Sequence, residues 1–220
     1  MSADESTAAR GGPVLAAVRI ADDPRAWSEA GFAVEGSTVR LGPLAIECTG
    51  AGDPTPPAFV FDRPHPGGLA DLDGIEWVDG GPRDDASGGE HPNGIGEIDH
   101  VVVMATSLEG VRAALAAAGL EIRRERPTKL GATAITQVFA WAGDVLLEIV
   151  APDDPATQSS DPASTVWGLA AIAHDLDATA AWFGDRISAP RDAVQAGRRI
   201  ATVRHRELGC SLQLAVMTPR

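Results

Sequence analysis

The chain has 220 residues, 44% of them hydrophobic, enough to bury one large core or two small ones. Its formal net charge of −13, with no contiguous basic patch to offset it, argues against nucleic acid or an anionic membrane as partner. No segment approaches the roughly 18 apolar residues of a membrane helix, and Met1 to Gly12 lacks a hydrophobic signal core. The expectation is a cytoplasmic protein without a membrane partner.

Residues 1–12, rich in Ala, Ser and charge, read as a disordered leader. Val14–Ile20 has the composition of a strand, and Asp22-Asp23-Pro24 starts a short helix that Gly31 ends. Val39–Leu41 and Leu44–Cys48 form a hairpin across Gly42-Pro43. Residues 13–50 thus make a strand, a helix and a hairpin. The span 51–96 is dense in Gly, Pro and Asp and reads as a loop-rich connector, with Phe59-Val60-Phe61 and Ile75-Glu76-Trp77-Val78 as its strand candidates.

From Glu97 the pattern sharpens. Ile98-Asp99-His100-Val101-Val102-Val103 is a strand expected to be covered on both faces. Ser107 caps a helix with Leu108, Val111, Leu115 and Ala118 on one face, and Gly119 stops it. Leu120–Arg124, Ala132–Trp141 and Asp144–Val150 supply three more strands. Residues 153–165 are a polar linker. Residues 166–220 then repeat the order: a strand at 167–173, Asp175 as helix cap, a helix through Trp182, and strands near 198–206 and 210–217. A small βαβββ unit cannot bury its own sheet face and needs a second copy. The fold class is therefore α+β, with paired units 97–152 and 166–220 whose seam is a natural place for a concave site. Cys48 and Cys210 lie outside any metal or redox spacing and read as buried free thiols.

With this repeat, and Ile98-Asp99-His100-Val101-Val102-Val103 opening one copy, the chain resembles the vicinal oxygen chelate superfamily of glyoxalase I, extradiol dioxygenases and bleomycin-resistance proteins. The resemblance implies a glyoxalase-like protein whose paired units curl their mixed sheets around a cleft that holds a small molecule, preceded by a degenerate copy of the unit at 13–50. It also implies a divalent metal ion, held by side chains from the first and last strands of each. Carried over by position, His100 is the first-strand ligand and Glu148 the last-strand ligand. Both are ionisable groups within apolar strands, where a lone carboxylate would cost several kcal/mol unless paired. Imidazole and carboxylate suit Zn, Fe, Mn or Ni without choosing among them.

The second unit departs from the pattern. Gly168 stands opposite His100 in the alignment, and matching Gly143 with Gly209 sets Leu214 against Glu148, with Gln213 one residue off and facing away unless a bulge shifts the register. Two small-molecule readings follow, beside a third in which a filled cleft leaves a structural or regulatory module. One is a metal-dependent lyase, isomerase or oxygenase acting on a small oxygen-bearing substrate. The other is a metal-free binding or drug-sequestering protein in which His100 and Glu148 form an ion pair. In either, Trp141 and Trp167 are candidate stacking walls and Arg198 a candidate holder of a carboxylate or phosphate. Structural roles compete for each: aromatic core for the tryptophans, an edge charge for Arg198. His65 and His91 sit in loops from which either could reach the cleft. Monomer and homodimer are both compatible with the sequence.

Overall fold

The computed structural model describes residues 12–50, 52, 55–81, 89–153 and 163–220. All but Gly12 of the expected leader, and most of the 153–165 linker, lie outside the described residues. Seven strands form the first sheet: β1 (Leu15–Ile20), β2 (Val34–Glu35), β3 (Thr38–Leu41), β4 (Leu44–Cys48), β5 (Ala58–Phe61), β6 (Asp71–Leu72) and β7 (Ile75–Asp79). Their order is β2-β3-β4-β1-β5-β7-β6. With α1 (Pro24–Glu29), strands β1 to β4 have the connectivity of one βαβββ unit, β1 running parallel to β4. Residues 58–79 add a helix-free set of strands antiparallel to β1 through β5.

The second sheet has eight strands. These are β8 (Ile95–Met104), β9 (Ile122–Leu130), β10 (Thr133–Ala142), β11 (Val145–Pro152), β12 (Thr165–Ala173), β13 (Arg191–Asp192), β14 (Arg199–Val203) and β15 (Gln213–Met217). The order β13-β14-β15-β12-β8-β11-β10-β9 sets two βαβββ units side by side, joined where β8 meets β12 antiparallel. Their helices are α2 (Leu108–Ala117) and α3 (Leu176–Phe183). Mixed sheets with few helices make the α+β class.

Local chemistry sets each helix. Ser107 Oγ accepts from Gly110 N at 3.0 Å to start α2, whose Val111 and Leu115 are buried. Asp23 and Asp175 cap α1 and α3 in the same way. Trp27 of α1 donates its Nε1–H to Asp22 Oδ2 at 2.9 Å, and Asp22 also accepts from Ser211 N at 3.0 Å. That carboxylate ties the first sheet to the second unit.

One contiguous core joins Val18, Phe59 and Phe61 of the first sheet to Val101, Val103 and Leu147 of the second, with all three described α-helices contributing. Each buried Leu, Val, Ile or Phe contributes about 1.5–3 kcal/mol, so the inward face holds both sheets together. Because strand side chains alternate, the opposite face of the second sheet is turned away from this core. His100, Glu148 and their neighbours sit there.

Candidate functional site

Strand register defines the outward face of the second sheet. On β8, Val101 and Val103 are core, so His100 and Val102 point the other way. Glu148 lies beside Val102 on the neighbouring β11. Across the sheet the pairings Arg124–Phe139, Phe139–Glu148, Glu148–Val102, Val102–Gly168 and Gly168–Gln213 form a single row through six strands. The sheet is curled, and that row crosses its outward face, the trough face.

A bulge places the first charged pair. Ala170 faces His100 while Ala171 faces Ile98, so Asp99 is an extra residue in β8. Two consecutive side chains thereby come together, Asp99 Oδ2 standing 2.7 Å from His100 Nδ1. On the ring's far side His100 Nε2 is 3.2 Å from Glu148 Oε2. Gln137 of β10 donates its Nε2–H to Glu148 Oε1. Arg198 enters from the second unit, its Nη1 lying 3.0 Å from Asp99 Oδ1 and its Nε donating to the Thr218 carbonyl at 2.9 Å. Burial pushes the Asp99 carboxyl up, but the His100 hydrogen bond and the charges of His100, Arg198 and Arg220 outweigh it and hold the group below its ordinary value.

The geometry constrains His100. A neutral imidazole has one N–H. With Nδ1 donating to Asp99, Nε2 turns a lone pair toward a carboxylate, and that contact is repulsive unless a second proton or a cation sits there. Two ligands about 2.0–2.2 Å from one zinc-sized ion stand roughly 3 Å apart, which matches the observed separation. Asp99 on Nδ1 and Gln137 on Oε1 are the outer partners that orient such ligands. Among the described residues no group of three or more His, Cys, Asp or Glu converges as a metal cluster. The donor set thus fits a cation through two side chains, with further positions left for an amide, water or ligand.

Gln213 is an amide on the same face. Its burial alternates in phase with Ala215, while Leu214 is core, so Gln213 shares the trough face with Glu148 and Leu214 does not. The register left open by matching Gly143 with Gly209 has Gln213, not Leu214, on this face. The β10–β11 turn is Gly143-Asp144, whereas the β14–β15 connection contains an extra 3-10 helix, His205–Leu208. Gly168 is explained by the same row: a Cβ there would stand 2.6 Å from the Gln213 carbonyl oxygen and 2.9 Å from its Cβ.

Trp141 lies on the trough face two residues from Phe139, and Trp167, at a second bulge of β12, is 45% exposed. Arg198 is buried and committed to Asp99, Gln195 and Thr218, although its Nη2 is without a partner among the described residues. His91 and His65 lie elsewhere. His91 accepts from Ala33 N and contacts the Arg40 carbonyl, and His65 packs edge-on against Trp77. Cys48 and Cys210 are both buried and free, and burial pushes both thiols up to about 12. Sequence reasoning missed the parts played by Asp99 and Gln137. Polar residues inside apolar strands were the available signal.

No family model matches the sequence, and no curated protein does so either. Solved structures do. A triple mutant of 4-hydroxymandelate synthase from Streptomyces coelicolor superposes with a TM-score of 0.60 at 15% identity, over 94% of this chain and 92% of that one. The fold is the vicinal oxygen chelate fold. Methylmalonyl-CoA epimerase from Mycobacterium tuberculosis aligns at 18% identity with a TM-score of 0.44, over 58% of this chain and 90% of that one. A hypothetical protein from Bacillus halodurans aligns at 13% identity with a TM-score of 0.42, over 56% of this chain and 94% of that one. His100 and Glu148 both belong to the unit of β8 to β11. The other unit supplies Gln213 and the Arg198 charge.

Proposed function

We propose that the trough binds a small oxygen-bearing molecule at a divalent cation carried by His100 Nε2 and Glu148 Oε2, with the Gln213 amide oxygen as an available third donor. The observation that carries this reading is the 3.2 Å convergence of an imidazole nitrogen and a carboxylate oxygen, each oriented from behind by a separate partner. When bound, the ion supplies Lewis acidity that polarises oxygens of the ligand and stabilises negative charge developing on them. The chain's own residues do the rest. Asp99 keeps the proton on Nδ1, Gln137 fixes one oxygen of Glu148 and leaves the other free, and Phe139 and Trp141 give the ligand an apolar wall. Lyase, isomerase or oxygenase chemistry on that ligand fits this arrangement, in a cytoplasmic protein.

The second reading is a metal-free binding protein. It draws on the closed charge pattern Arg198–Asp99–His100–Glu148, in which a protonated His100 balances two carboxylates against two cations. Calorimetric titration of chelator-treated protein with Mn, Co, Ni and Zn separates them. Saturable binding that disappears in His100→Ala and in Glu148→Ala supports the cation reading. Flat titrations, with tryptophan quenching by ligands that chelator does not affect, support the second.

A further inference from the structure

The strand at the trough's edge carries basic groups that the cation reading leaves unused. Arg124 pairs with Phe139 and Arg126 with Gln137, so both arginines stand on the trough face of β9. Glu125 between them points to the other face, where it holds Arg112 of α2 at 2.6 Å. Neither Arg124 nor Arg126 has an ion-pair or hydrogen-bond partner among the described residues. In a chain of net charge −13, two unpaired guanidinium groups side by side on the face of a buried His–Glu pair form a local exception.

We infer that Arg124 and Arg126 form an anion subsite, and that the trough's ligand is elongated with an anionic end, carboxylate or phosphate. This inference rests on the trough being the ligand site. The row gives the ligand its shape. Arg124 and Glu148 lie two strand spacings apart, about 10 Å between backbones, with Phe139 between them. A flat apolar body over Phe139 would put an oxygen at His100 and Glu148 at one end and the anion at the arginines at the other. Guanidinium groups match carboxylate and phosphate oxygens in fork geometry, and an edge arginine reaches its partner without crossing the sheet. Protection of an exposed edge needs charge too, but Pro127 and Lys129, on the opposite face of β9, serve that purpose.

The test uses 4-acetylbenzoate, with a carbonyl oxygen and a carboxylate at opposite ends of a flat ring, and its uncharged methyl ester. Both are titrated calorimetrically into the whole protein, into R124Q/R126Q and into Lys129→Gln. The expected result is tighter binding of the acid than of the ester, weakened about tenfold or more in R124Q/R126Q and unchanged in Lys129→Gln. The side-chain Nε–H NMR signals of Arg124 and Arg126 should shift on adding the acid. Equal affinity for acid and ester, an unchanged acid affinity in R124Q/R126Q, an equal loss in Lys129→Gln, or no saturable binding of the acid would overturn the inference. Metal titration of R124Q/R126Q keeps the two claims apart. Intact metal binding with lost arginine dependence sinks the anion subsite alone, and flat metal titrations with intact arginine dependence sink the cation alone.

Discussion

Asp99 is buried between a histidine and an arginine, and its removal should cost more than any surface carboxylate. Asp99→Asn leaves Arg198 in a dry setting without its counter-charge, which costs about 3–5 kcal/mol. Urea unfolding should show that loss as a lower midpoint at unchanged slope. The pH dependence has a defined sign. The carboxyl of folded Asp99 lies below its ordinary value, so it contributes stability above the unfolded value of about 3.9 and loses it as pH falls through the folded one. On acidification from about pH 5 the unmutated protein should therefore lose more stability than Asp99→Asn. At this scale the sequence was partly legible. His100 and Glu148 stood out because ionisable groups in apolar strands need partners. Asp99 did not, because only the bulge at Ala170–Ala171 turns a neighbour in sequence into a neighbour on the same face.

Strands β12 and β15 approach so closely at one point that only a glycine fits. Gly168→Ala forces a Cβ against the Gln213 backbone, a shift of paired strands that should cost about 1–3 kcal/mol. Thermal unfolding should register it, and metal affinity should fall too if Gln213 donates to the cation. Unchanged stability would mean the strands part without strain. Elements with strong local signals were readable: α2 from Ser107 and its 3.6-residue apolar stripe, α1 from Asp23-Pro24. The face of Gln213 was not. Matching the turn glycines of the two units hid the 3-10 helix between β14 and β15, and a one-residue slip reverses every side chain in a strand. Two-residue strands such as β2, β6 and β13 are too short to show any period.

Over the whole molecule, two curled mixed sheets share one core and leave the charged site on the outward face of the second. The repeated unit made the second sheet legible, because a strand, a helix and a meander recur in the same order. The first sheet was less so, since β5 and β7 sit among Gly and Pro residues and take their place through pairing with β1 rather than through a helix. What unites the scales is the cation seat proposed at His100 and Glu148. The visible absorption spectrum of chelator-stripped protein loaded with cobalt(II) tests it most directly. A ligand-field band saturating at a single equivalent, shifting when a small oxygen-bearing ligand is added and missing in His100→Ala and Glu148→Ala, is the expected result. A spectrum no different from free cobalt, or one that both variants retain, would contradict it.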